Sequence, residues 1–282
     1  MDRFLSRGRR GLMVLVAGLA VSLAACGDDI TNVTGPPTFT PNPIVTQAGL
    51  QAALTSALSS TNGGLDFPMW ATVVDRAGVV VAVVHGGTVA HPDTAVDDQW
   101  LGSRAISAQK ANTANDFSLD FFALSTANLF SAVQPGGSLF GLQESNPVDP
   151  SVVYGGDQTK YGTVDDFMVG KKPGGVNVFG GGLALYDVTS GEAIGAVGLS
   201  GDTSCADHNI AWRVRDALNM DKVPGGVAAA VGANPGNNDN IIFDIDPATG
   251  KSTSGFGHPI CLNAVADSTI GTNLPTAYPL TP

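Results

Sequence analysis

The sequence predicts an α+β fold, an antiparallel sheet built from two hairpins with helices packed against it. Three observations carry this reading. Two β-rich apolar runs, MWATVVDRAGVVVAVVH (69–85) and GLALYDVTSGEAIGAVGLSG (182–201), each fold back on a short polar segment that contains glycine. Apolar residues at helical spacing occur before, between and after them, at 48–60, 101–118 and 204–218. Helix, hairpin, helix, long loop, hairpin, helix is the order of a sheet with helices laid on it.

The first helix is AGLQAALTSALSS (48–60), which is apolar at helical spacing and carries no further glycine after its second residue. The first hairpin turns at Asp75-Arg76-Ala77-Gly78. In the next helix Ala105, Ala108, Ala111 and Ala114 stand three apart. That small-residue face lets a helix lie close to a sheet. FFALSTANL (121–129) predicts a shorter helical piece. Residues 134–180 read as loop, with Gly-Gly pairs at 136–137, 155–156, 174–175 and 180–181. The second hairpin turns at Thr189-Ser190-Gly191. In the helix at 204–218, Ser204 and Asp207 have the spacing of a capping box, and Ile210, Ala211, Val214, Ala217 and Leu218 form its buried stripe. The tail predicts one more hairpin, turning at Asp246-Pro247-Ala248-Thr249-Gly250.

The first residues predict export. Arg3, Arg7, Arg9 and Arg10 precede the apolar run GLMVLVAGLAVSL (11–23), and Leu23-Ala24-Ala25-Cys26 follows as a small-residue cleavage site ending in cysteine. The apolar run is too short to span a bilayer. The pattern is that of a lipoprotein signal peptide over 1–25, with Cys26 the lipidated first residue of a protein anchored in the cell envelope, on an outer-membrane or periplasmic face if the cell is Gram-negative. Residues 1–25 carry four arginines and one acid, so 10 basic residues remain against 24 acidic ones. Such a balance argues against nucleic acid and anionic lipid surfaces as partners. Residues 26–45, rich in Pro, Thr, Asn and Gly, predict a flexible tether, followed by one domain over 46–282.

The elements VVDRAGVVVAVV, SAQKANTAN and GGGLALYD…GEAIGAVGLSGD, the last leading into a helix, resemble the GlcG/HbpS-like haem-binding family. That fold also occurs as the C-terminal domain of PduO-type corrinoid adenosyltransferases. The resemblance covers about residues 46–220 and is most specific at Lys110-Ala111-x-Thr113-Ala114 and at the glycine-rich segment ending at Gly201. It implies a profilin-like α/β/α sandwich around a five-stranded antiparallel sheet, and binding of haem or a related tetrapyrrole. The loop insertion 134–180 and the tail 221–282 depart from the short members of the family.

Apart from Cys26, two cysteines remain, Cys205 and Cys261. In an oxidising compartment they read first as a disulfide, contributing about 4 kcal/mol by loop closure. The rival is a metal centre, since Cys205, His208, His258 and Cys261 make up a Cys2His2 ligand set. A bridge would bring His208 and His258 close together. On the helix, Cys205, His208, Trp212 and Arg215 share one flank, off the buried stripe. His208 or His258 could serve as axial ligand, Trp212 as stacking face and Arg215 as propionate partner. Equally, the flank could receive the tail. Lys110 and Arg104 are further candidates for propionate contacts, and His85 and His91 for the iron. No C-x-x-C-H is present for covalent haem attachment.

Enzymatic signals are weak. Gly198-Leu199-Ser200-Gly201-Asp202 lacks the final glycine of a nucleophile elbow. Asp239, Asp244 and Asp246 do not fit a calcium loop. Two functions stand: an envelope lipoprotein that binds haem for sensing, storage or transfer, or a non-catalytic structural or interaction module with an empty site. Haem degradation is the one enzymatic option, and a homo-oligomer is an open possibility.

Overall fold

Side chains along β1 (Met69–Asp75) point alternately into two separate cores. Met69, Ala71 and Val73 join one, while Trp70 and Val74 join the other. A strand buried on both faces needs a helical layer on each, and this is what the computed structural model shows. It describes residues 35–88, 90–91, 100–231, 238–262 and 264–282. The predicted signal peptide, Cys26 and the tether as far as residue 34 lie outside the described residues.

β1 pairs antiparallel with β2 (Val80–Gly86), and β3 (Gly182–Tyr186) with β4 (Ala193–Ser200); β1 also pairs with β4. The sheet order is β2-β1-β4-β3. One face carries α1 (Gln47–Leu58) and α5 (Ser204–Ala217), and the other carries α2 (Leu101–Phe117). The predicted α/β/α sandwich is therefore present. Its main sheet has four strands where the resemblance implied five. The segment 168–171 bonds to the free edge of β2 only at Val80, through Val80 N–H to Lys171 O and Gly170 N–H to Val80 O. It cannot run on as a strand, because Gly170 sits at φ 77° and Pro173 has no N–H to donate.

Ala105, Ala108, Ala111 and Ala114 of α2 are all buried, as their spacing predicted. The sheet answers with glycines. Gly182 and Gly198 are register partners, and a Cβ on Gly198 would lie 2.0 Å from Ser107 O. Helix backbone rests directly on strand backbone there.

The loop 134–180, which follows a 3-10 turn at Ser131–Val133, contains the one-turn helix α4 (Pro150–Val153) and a 3-10 turn at Gln158–Lys160. It packs Val152, Val153, Tyr161 and Met168 over α2. The predicted helix at 121–129 shrinks to α3 (Thr126–Leu129), because Leu119 and Phe122 pair with each other instead. The end of the predicted tether is docked: Phe39 N–H donates to Gly170 O (2.5 Å), Asn42 N–H to Asp75 Oδ2 (2.8 Å), and Val45 is buried.

The tail holds more than the expected hairpin. It comprises α6 (Val227–Ala230), the small hairpin β5 (Ile245–Asp246) and β6 (Lys251–Ser252), and α7 (Ala264–Ala277), which packs on α5. Among the described residues no helix is long and apolar enough to cross a membrane.

Candidate functional site

The junction from β4 into α5 is where sequence reasoning concentrated its candidates. Thr203, with extended backbone, is the N-cap, and its hydroxyl accepts from Ala206 N–H at 3.2 Å. Ser204 is thus the first helical residue, not the cap, and the predicted capping box does not form. Ser204 and Asp207 are used elsewhere. Asp207 Oδ1 accepts from Asp202 N–H, and its Oδ2 lies 2.6 Å from Lys110 Nζ, which also donates to Leu199 O. Burial pushes the Asp207 carboxyl up to about 6, against the pull of Lys110, and pushes the Lys110 ammonium down.

The flank Cys205, His208, Trp212 and Arg215 is fully buried, because the tail covers it. Arg215 makes a two-pronged ion pair with Asp239, at 2.6 and 2.9 Å, and its guanidinium carbon lies 4.8 Å from the Trp212 ring centre. Trp212 Nε1–H donates to Tyr278 O. His208 Nε2 lies 3.1 Å from Asn240 Oδ1, while Asn240 Nδ2 donates to Gly271 O and so fixes the amide. His208 Nε2 also faces the backbone N–H of Ile241 at 3.1 Å, an N–H that Asn240 Oδ1 accepts as well at 2.9 Å, while Nδ1 is buried without a partner. Burial lowers the His208 pKa to about 4.

Cys205 and Cys261 are disulfide-bonded, with Cα atoms 6.0 Å apart, as the cysteine count predicted. His258 Nδ1–H donates to Pro259 O at 2.7 Å, which leaves Nε2 to accept from the Ser204 hydroxyl, also at 2.7 Å. Ser204 Oγ in turn accepts from Gly180 N–H, and Phe130 packs on the imidazole at 5.0 Å between ring centres. Burial again holds the pKa at about 4. The four-ligand metal reading needs correction. Cys205, Cys261 and His258 place their ligand atoms within 4.8 Å of one another, but His208 is turned to Asn240 and stands outside the cluster.

The remaining cationic candidate is also occupied. Arg104 bonds Asp166 through Nε (3.2 Å) and Nη2 (2.5 Å), donates to Val153 O, and stacks on Tyr161. Lys110, Arg104 and Arg215 thus each hold a buried acid. Asp166, Asp239 and Asn240 are the partners that sequence reasoning missed. For Asp166 and Asp239 the signal was the need itself, since a buried cation requires an acid, whereas Asn240 bonds the His208 imidazole.

His85 and His91 differ from these. His85 is half-buried at the end of β2, its ring 5.0 Å from that of Trp70. His91 is exposed, with its ring centre 5.5 Å from Phe67, and Phe67 is 5.2 Å from Trp100, which is 57% exposed. Four surface clefts between described residues lie along α7, beside residues 58–64, between 131–138 and the small hairpin, and near Lys222. None of the four is lined by a histidine.

Comparison with known proteins shows the family. The model of the family described as "Haem degrading protein HbpS-like" matches residues 50–215. An uncharacterized 15.0 kDa protein from the dhaT–dhaS intergenic region of Citrobacter freundii is 33% identical over 141 residues, covering 50% of this chain and 75% of that protein. Similar solved structures include Klebsiella pneumoniae protein ORFY, 26% identical, covering 62% of this chain and 90% of that one, with a TM-score of 0.39. The PduOC:haem complex is 24% identical, covering 61% and 91%, with a TM-score of 0.40. A double mutant of Streptomyces reticuli HbpS is 16% identical, covering 64% and 90%, with a TM-score of 0.39. With the family match extending over more than half of its length, the chain belongs to the HbpS-like family.

Proposed function

We propose that this protein is an exported, lipid-anchored lipoprotein that binds haem or a related tetrapyrrole. The family match over residues 50–215 carries the haem reading. The export reading rests on the arginines, apolar run and Leu-Ala-Ala-Cys of residues 3–26.

The residues present fit such a group unevenly. His208 and His258 fit poorly in the folded chain. Both are buried and bonded, and the arginines and lysine around them already hold acids. The surface group of exposed His91 and Trp100 with half-buried Phe67 fits better. It offers an accessible imidazole for iron, with Phe67 against that imidazole and Trp100 against Phe67 as apolar surface for the macrocycle. Bound haem would supply redox-active iron, and the protein's part is to hold it and limit its exposure to water. The Cys205–Arg215 flank then serves the fold. This is the structural role weighed against ligand binding, and its internal bonding favours it.

Titration of the purified chain with haem, read by absorbance, tests the reading. A Soret shift saturating at one equivalent is expected, and weak non-saturating association would overturn it. For the anchor, Cys26→Ser should leave a precursor that retains residues 1–25. Normal cleavage of that variant would refute lipidation.

A further inference from the structure

We infer that the Cys205–Cys261 bridge is also a masked metal site: once reduced by a dithiol, Cys205, Cys261 and His258 bind a zinc-like divalent ion through two thiolates and one imidazole. This does not rest on the haem reading.

The three ligand atoms already lie within 4.8 Å of one another, so little movement separates the bridge from a coordination sphere. Two thiolates and an imidazole are a recognised set for zinc that leaves a fourth position open. His258 is prepared for this role. Its Nδ1–H is held by Pro259 O, the kind of backbone contact that orients metal-bound histidines, and its other nitrogen is unprotonated. The sulfurs are prepared as well. Cys205 is the second residue of the 14-residue helix α5, and its N–H points at Cys261 Sγ at 3.2 Å. A helix N-terminus and an N–H donor both favour thiolate over thiol.

Access is asymmetric. Cys205 is fully buried, whereas Cys261 is only half-buried. A thiolate of the reductant therefore attacks Cys261 Sγ. The S–S bond breaks, its electron pair goes to Cys205 Sγ, and a mixed disulfide forms at Cys261. The reductant's second thiol then attacks its own sulfur in that mixed disulfide and releases Cys261. Two electrons pass to the protein and the dithiol becomes a disulfide. Binding of the ion displaces whatever protons remain on the two sulfurs.

The test uses the full chain in detergent, with Cys26→Ser so that Cys205 and Cys261 are its only thiols. Cobalt(II) is added before and after reduction with a phosphine. One equivalent should bind only after reduction, giving thiolate-to-cobalt charge transfer and tetrahedral visible bands, and zinc should displace it. His258→Ala should weaken binding by about tenfold or more. X-ray absorption of the reduced parent loaded with zinc needs no further variant and should show two sulfurs and one imidazole. Absence of charge transfer, equal binding by the oxidised chain, or a zinc shell without imidazole would overturn the proposal.

Discussion

The two faces of α5 teach different lessons about where function sits in this molecule. Its sheet-facing side, with Ile210, Ala211 and Val214, packs into a core whose other members lie within residues 45–218 for the most part. Its opposite flank is completed from the tail: Asp239 for Arg215, Asn240 for His208, Cys261 for Cys205, and the carbonyl of Tyr278 for Trp212. The family match ends at residue 215, short of all four partners. Histidine, tryptophan and arginine together resemble a binding site only while the tail is ignored. With the tail in place they are its seat, and the exposed histidine is His91, beside half-buried Phe67.

The contrast can be broken most severely at Arg215. Arg215→Ala leaves Asp239 buried without its counter-charge and should cost about 3–5 kcal/mol. Urea unfolding measures it, and a loss below 1 kcal/mol would show that the flank does not hold the tail. Replacing both Cys205 and Cys261 by Ala opens a cross-link between residues 56 apart in sequence and should cost about 4 kcal/mol, less any native strain released. The same urea titration reads this change.

Acid should loosen the tail seat by a smaller amount. His208 and His258 have folded pKa values of about 4, below the ordinary 6.5. Their contribution is present above pH 6.5 and is lost as pH falls toward 4. Asp207, raised to about 6 from 3.8, acts in the opposite sense, since its contribution fades as pH rises through 6. Two histidines against Asp207 leave a net loss in acid of at most about 1.4 kcal/mol per pH unit, which the carboxyls of Asp116 and Asp216, also raised by burial, reduce. Urea midpoints at pH 7 and pH 4.5 should therefore fall with pH. A midpoint that rises toward pH 4.5 would contradict these assignments.

Much of the core was legible because its signals are local. Four alanines three apart announced a helix lying close to a sheet, and polar turns with glycine announced both hairpins. The disulfide followed from compartment and parity. The rest depends on distant docking. Asp166 meets Arg104 across 62 residues and Asn240 meets His208 across 32, and no local period encodes either. α7 was also hidden, since its stretch carries Gly271 near its centre and Pro275 in its last turn. Both are poor helix residues, and packing of Leu274 and Ile270 against the core compensates for them. The capping reading failed by one residue, because Thr203 next to Ser204 is an equally good cap.

The division between a structural flank and a binding face is tested most directly by haem titration of two variants, each also followed by thermal unfolding. His91→Ala should lose the saturable Soret shift while its thermal midpoint stays within about 0.5 kcal/mol of the parent, as for other exposed positions. His208→Ala should keep the Soret shift and lose about 1–3 kcal/mol, since it removes a fully buried ring together with its contacts to Asn240 Oδ1 and Ile241 N–H. The reverse pattern, haem lost with His208 and kept without His91, would contradict the account.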